Sequence, residues 1–431
     1  MGRAMRWTAI ALGLLVPVLT AAEDLPPLPE PLSLADALAF TRSDVPLIEL
    51  AQAGREENAA ALAEAQSLTG LRMGVVGRLR AVDVARYSLN RDRNDSNAQL
   101  AVSKRLYDFG YSDAREEAAR LAGEGGEWRY LDARQEAHLE VMQRFLEVVL
   151  ADLQYARDNE AMAGAYIAAD RARDRHELKR LSDVDLAQLE SEYQEALRVR
   201  MQSQTLQRAA RSRLAIAMGR PNELAANLIR PASPDISAPV PDYEAVLAEI
   251  RESNPEIRAL RAEVESARAR VEAARNNHGP VLSGELDASY YNRETNTTHP
   301  FGASLVLEVP LLTGGAKDAA LADARAKWRA SQARLAAAED ALSQEVLDLV
   351  LRLGNLRLTL EGLKVRGDYR ELYLDRSRAL YELEVKADLG DAMTEISAVR
   401  LDTAQAEFDW MMTQARLKAL AGRLLPEEAT K

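Results

Sequence analysis

Two periods of hydrophobic patterning alternate along this chain, and the alternation occurs twice. Leu342, Val346, Leu349, Leu353, Leu356, Leu360 and Leu363 step by four and three residues in turn, which is the spacing of a coiled-coil seam. Leu139, Met142, Leu146, Val149 and Leu153 carry the same rhythm earlier in the chain. Ahead of each helical region the period falls to two. Leu282, Gly284, Leu286, Ala288 and Tyr290 fall on one strand face and Ser283, Glu285, Asp287 and Ser289 on the other. Phe301, Ala303, Leu305, Leu307 and Val309 oppose Gly302, Ser304 and Glu308 in the next strand. In the first half, Leu71, Met73, Val75 and Leu79 alternate with Arg72, Arg78 and Arg80, and Leu100, Val102 and Leu106 with Gln99, Ser103 and Arg105.

The prolines divide the chain accordingly. None lies between Pro46 and Pro221 or between Pro310 and Pro426. Proline inside a helix costs ~3 kcal/mol, so such intervals suit very long helices. A single helix from Ser112 to about Leu178 would extend ~100 Å at ~1.5 Å per residue. The run Gly123-Glu124-Gly125-Gly126 is placed to kink it, because glycine weakens a helix by ~1 kcal/mol.

Internal similarity explains the doubling. Leu34-Ala35-Asp36-Ala37-Leu38-Ala39 followed by Val45-Pro46 lies over Tyr243-Glu244-Ala245-Val246-Leu247-Ala248 followed by Asn254-Pro255 at a shift of 209 residues. After the strands the shift is 205 and sets Gly110 on Gly315. The fold expected is mainly α with a small β part, in two tandem repeats of a long coiled-coil helical hairpin plus a β-hairpin. The first repeat covers 33–220, with strands at about 70–82 and 98–107 and a helical hairpin at about 111–219. A connection at 221–241 leads to the second repeat at 242–425, with strands at about 280–291 and 300–312 and a hairpin at about 316–424. A Pro-rich leader at 23–32 and a tail at 426–431 flank them.

Composition narrows the class. A content of 47% hydrophobic and 28% charged residues is that of a folded protein. The formal charge of -12 argues against a nucleic-acid partner. Residues 1–22, with Arg3 and Arg6 ahead of an apolar run and Thr20-Ala21-Ala22 at its end, are expected to be a signal peptide. No cysteine is present, so neither disulfides nor a lipidated Cys is available to an exported chain. The four histidines, His138, His176, His278 and His299, have no metal-ligand spacing, and no nucleophile motif occurs. No catalytic residue, metal or other cofactor is therefore expected, and the chain is not read as an enzyme. Each strand approaches the ~9–11 residues that a barrel strand needs to cross a bilayer. A non-membrane periplasmic coiled-coil scaffold is the alternative reading.

This order of elements, with the doubled motif Pro310-Leu311-Leu312-Thr313-Gly314-Gly315 before a long helical hairpin, resembles the TolC family of outer-membrane efflux proteins. The resemblance implies a homotrimer with one twelve-stranded β-barrel in the outer membrane of a Gram-negative bacterium and a periplasmic α-helical tunnel. Its function would be passive passage through a tripartite efflux or type I secretion system, docked to a periplasmic adaptor and an inner-membrane transporter. Gly110, Gly314 and Gly315 would mark the strand-to-helix turns. Asp388 and Asp391 match the acidic pore constriction, with Glu384 and Glu395 as the nearest alternatives. Leu178, Lys179, Arg180, Leu181, Ser182 and Asp183 match the adaptor-docking tip, which departs from the family in lacking the glycine often found there. Strand parity points Arg72, Arg78, Arg80, Arg105, Glu285, Asp287 and Glu308 into a barrel lumen, with the apolar face toward outer-membrane lipid.

Overall fold

The computed structural model of the protein describes residues 27–84, 86–295, 298–383 and 389–425. The expected signal peptide, the 426–431 tail, Glu384 and Asp388 lie outside the described residues. The elements run α1 (Leu34–Ala39), α2 (Pro46–Ser67), β1 (Leu71–Arg78), β2 (Asn97–Tyr107), α3 (Tyr111–Glu177) and α4 (Asp183–Ala217), then α5 (Tyr243–Ser253), α6 (Pro255–Asn276), β3 (Val281–Tyr291), β4 (Phe301–Glu308), α7 (Ala316–Glu382) and α8 (Leu389–Leu420). The protein is thus mainly helical with one small antiparallel sheet. Both halves present the same order, and α3 and α7 each have 67 residues.

Local chemistry sets the ends. Pro46 and Pro255 open α2 and α6 at the first turn, where a missing N–H is no loss. Asn254 accepts from the Ile257 amide at 2.9 Å and donates from Nδ2 to the Leu420 carbonyl at 3.0 Å, fastening the end of α8 to the start of α6. The two long helices begin alike. Gly110 (φ 90°) and Gly315 (φ 85°) are left-handed N-caps, each preceded by another residue of positive φ, Phe109 at 56° and Gly314 at 60°. Two successive left-handed residues turn the chain from strand to helix.

The glycine run does not interrupt α3, which continues through it. Two of its glycines, Gly125 and Gly126, serve packing instead. A Cβ at Gly125 would stand 3.2 Å from the Ala259 carbonyl oxygen of α6, and one at Gly126 would stand 2.5 Å from Asn58 Nδ2 of α2.

Many residues of the periodic seams are buried, and on α3 Val141, Phe145 and Val148 beside the seam are buried with them. Leu139, Leu146 and Val149 are buried on α3, and Leu342, Val346, Leu353 and Leu360 on α7. Phe145, Val141 and Val148 meet Leu214 of α4, Met218 at its C-cap, and Ala404 and Phe408 of α8 in one cluster, which Leu32 closes. Leu32 is held by a parallel bridge to Leu228, so the segment ahead of α1 is tied to the connection between the halves. A second cluster joins Leu247, Ile250 and Ile257 to Leu342, Val346 and Leu420.

The sheet has the order β1-β2-β3-β4, all antiparallel, with β1 and β4 at open edges. Two strand boundaries and one register differ from expectation. The β1 ladder stops at Arg78 instead of extending to 82, leaving only an isolated Ala81–Asn94 bridge beyond. The β4 ladder stops at Glu308, two residues before Pro310, which has no N–H to donate. The alternation in β2 breaks at a bulge between Arg105 and Tyr107, so that Tyr107 pairs with Leu282.

Candidate functional site

Pairing register assigns every strand residue to a face. Arg72 pairs with Ser103, Ser103 with Glu285, and Glu285 with Ser304. Arg78 pairs with Asn97, Arg105 with Ser283, Asp287 with Ala101 and Gly302, and Glu308 with Val281. Directly paired side chains share a face. Arg72, Arg78, Arg105, Glu285, Asp287 and Glu308 therefore lie on one side of the sheet, cations on the first hairpin and anions on the second. Arg80 lies just past β1, with its Nε 3.6 Å from Asp95. The opposite face carries Leu71, Met73, Val75, Leu100, Val102, Leu286, Leu305 and Leu307 by the same register. Met73 is 72% exposed and Leu305 73%. Gly302 lets the Asp287 carboxylate fold over the backbone, in space that a Cβ would occupy.

At the base of the sheet, buried Asp108 organises the first strand-to-helix turn. It accepts from the Ser112 amide at 3.1 Å, from the Ser112 hydroxyl, and from Arg105 Nη1 at 3.0 Å. Burial works against its charge, but the Ser112 hydroxyl and amide and the Arg105 guanidinium outweigh it and hold the carboxyl below its usual range. Sequence reasoning passed over Asp108, although an Asp four residues ahead of Ser112 at a helix start is a capping signal.

The tip between α3 and α4 resolves the missing glycine. Lys179 itself takes the left-handed conformation at φ 58°. Its amide donates to the His176 carbonyl and the Arg180 amide to the Arg175 carbonyl, both at 2.7 Å, the paired bonds of a Schellman cap. Ser182 then caps α4 by accepting from the Asp185 amide at 3.1 Å, and His176 Nε2 lies 2.6 Å from Asp183 Oδ1. Leu178 and Arg180 are exposed at this tip, and Leu181 is half-buried.

Of the acidic pair, Asp391 stands exposed in the first turn of α8. Glu395 is engaged by Arg370 of α7 at 2.9 Å, whereas Asp391 has no ion-pair partner among the described residues. Beside it the helices close up: a Cβ at Gly390 would lie 3.5 Å from Gly164 Cα of α3. No alternation marks Gly164, so this contact was not readable from sequence.

Among the described residues no group of His, Asp and Glu side chains has metal-binding geometry, and no helix is long and apolar enough to cross a membrane. The latter does not bear on membrane strands.

The family model described as outer membrane efflux protein matches residues 246–423. No curated protein matches the chain in sequence. Solved structures match its fold along nearly the whole length. The Campylobacter jejuni CmeC outer membrane channel superposes with a TM-score of 0.73 at 13% identity, covering 91% of this chain and 85% of that one. The outer membrane protein VceC of Vibrio cholerae gives 0.71 at 16% identity, with 91% and 97% covered. A membrane protein from Pseudomonas aeruginosa gives 0.73 at 16%, with 91% and 92% covered. At these identities the likeness is one of fold. The resemblance to the TolC family of outer-membrane efflux proteins thus stands on the sequence of the second half and on the fold of the whole chain.

Proposed function

We propose that the protein is the outer-membrane channel of a tripartite efflux or type I secretion system, acting as a homotrimer. The observation that carries this reading is the sheet: four strands, two unpaired edges, one exposed face that is apolar apart from Lys104 at its base, and one charged face. In water such a face is an aggregation hazard, and in lipid an open edge is not tolerated. Three copies joined edge to edge satisfy both demands as a twelve-stranded barrel with the apolar face toward lipid.

The helices support the same assembly. On α7, away from the buried seam, Leu351, Leu358, Val365 and Leu372 recur every seven residues, and each is more than half exposed. A second apolar stripe on a helix that already has one partner seam fits packing against a neighbouring copy. The α3–α4 and α7–α8 hairpins of three chains then form the wall of a periplasmic tunnel. Arg72, Arg78, Arg80, Arg105, Glu285, Asp287 and Glu308 line the barrel lumen, and Asp388 and Asp391 form the constriction. Leu178, Arg180, Leu181, Ser182 and Asp183 meet a periplasmic adaptor, which couples the channel to an inner-membrane transporter.

The test is fractionation followed by conductance. The full chain is expected in the outer membrane, with a mass of three chains in mild detergent and ion-conducting pores in planar bilayers. Recovery as a soluble monomer after osmotic shock would reject the reading in favour of a periplasmic scaffold.

A further inference from the structure

The two repeats differ in charge at one place where their helices correspond. With α3 set on α7 at a shift of 205, Asp158 falls on Leu363 and Ala165 on Arg370. Gly219 (φ 73°) and Gly422 (φ 72°) follow α4 and α8 alike, which sets Glu192 on Glu395 at a shift of 203. In the second repeat Leu363 packs against the cluster that holds Trp410, and Arg370 engages Glu395 at 2.9 Å. The first repeat has a carboxylate in place of that leucine and an alanine in place of that guanidinium.

The consequence is a groove between α3 and α4 with hydrogen-bond acceptors in excess. Asp158 is only 4% exposed. Its Oδ1 accepts from Arg157 Nε at 2.8 Å and Nη2 at 2.6 Å, whereas its Oδ2 has no hydrogen-bond partner among the described residues. With Ala161 of α3 and Glu192, Glu195, Ala196 and Val199 of α4 it lines a cavity of about 490 Å³. Glu195 is held by Arg198 Nε at 2.8 Å. Glu192 accepts from Gln188 Nε2 at 2.9 Å but has no ion-pair partner among the described residues. A buried carboxylate oxygen without a donor is costly, and such atoms are nearly always paired in folded proteins. A ligand that relieves it has to donate a hydrogen bond and carry positive charge. These carboxylates lack metal-binding geometry, and Ala161, Ala196 and Val199 supply an apolar wall suited to methylene groups.

We infer that this groove binds an aliphatic amine with two ammonium groups. One donates to Asp158 Oδ2, and the other takes at Glu192 the place that Arg370 holds at Glu395.

The experiment is calorimetric titration of putrescine into the full chain in detergent at fixed ionic strength. The chain carries Asp388→Ala and Asp391→Ala, so that cations held at the proposed constriction do not enter the count. One amine is expected to bind per chain. Adding Asp158→Asn is expected to weaken binding by about tenfold or more, through loss of a charge-assisted hydrogen bond. Ala165→Arg supplies the guanidinium of the second repeat and is expected to abolish binding with both carboxylates in place; it decides the matter should Asp158→Asn fail to fold. Glu177→Gln, an equal charge change at the exposed end of α3, is expected to leave the affinity as it was. No binding before these substitutions, undiminished affinity in Asp158→Asn or Ala165→Arg, or equal weakening by Glu177→Gln overturns the proposal. Each of those outcomes leaves the channel reading standing, because the groove lies outside the sheet and the constriction.

Discussion

Gly125 of α3 is backed directly by Ala259 of α6, with room for no side chain between them: a Cβ would come within 3.2 Å of a carbonyl oxygen that is part of the α6 backbone and has no freedom to yield. Gly123, two residues earlier, has nothing within 4 Å of the same construction. Gly125→Val is therefore expected to destabilise by about 1–3 kcal/mol through overpacking. Gly123→Ala is expected to stabilise by about 1 kcal/mol from helix propensity alone. Unfolding followed by far-UV circular dichroism in detergent checks both, and equal effects would contradict the packing described.

Asp132 is a titrating group where four helices meet. Its carboxyl is pushed up to about 6 by desolvation, then by Glu256 of α6 and Glu136 of α3; Arg416 of α8 opposes this and Glu345 of α7 adds to it. Arg416 is itself held by Glu345 at 2.6 Å and Glu136 at 2.7 Å. A carboxyl raised in the folded state favours folding below its unfolded value near 3.8 and loses that contribution as pH rises through about 6. Because the side chain is partly open to solvent, the effect is modest. Asp132→Asn is expected to flatten the fall in thermal midpoint between about pH 4 and 6, and an unchanged profile assigns that dependence elsewhere.

Lys179 occupies a left-handed position usually held by glycine. Lys179→Gly is expected to stabilise the α3–α4 tip by about 1 kcal/mol without loss of export. Leu181→Asp is expected to abolish adaptor crosslinking and export while trimers still form in the membrane. If Leu181→Asp crosslinks like the native protein, docking does not use this tip.

Opposite faces of the sheet should respond oppositely. Arginine at Leu286 or Leu305 is expected to cost ~2–4 kcal/mol near a bilayer midplane and to lower the yield of inserted protein. Charge reversal at Glu285 or Asp287 is expected to spare insertion and shift ion selectivity in planar bilayers. The same outcome on both faces would refute the assignment of lumen and lipid sides.

Six carboxylates around one axis, from Asp388 and Asp391 of three chains, would favour cations and bind multivalent ones. The double replacement by Ala is expected to weaken both cation selectivity and block by multivalent cations. Native selectivity and block in that variant would show that the constriction is built elsewhere.

Periodicity made the long helices and the strand faces legible, because seams such as Leu342 to Leu360 and the alternation from Leu282 to Tyr290 repeat over enough residues to outweigh local exceptions. What stayed hidden was set by contacts between distant segments. The role of Gly125 depends on Ala259, the bulge at Tyr107 on its pairing with Leu282, and the Gly164–Gly390 approach on helices that only the fold brings together. The cap at Lys179 was hidden for another reason: the turn demands a backbone angle, and a lysine can supply it at some energetic expense.

The central strand pair has a consequence for the order of events in folding. β2 pairs with β3 through residues such as Asn97 and Tyr291, whose roughly two-hundred-residue separation makes this contact slow to form compared with the local pairing inside each hairpin. Until the second half has been delivered, the first hairpin has an unpaired inner edge and its apolar face has no sheet to join. In a chain of this design that interval of vulnerability ends only when β3 arrives.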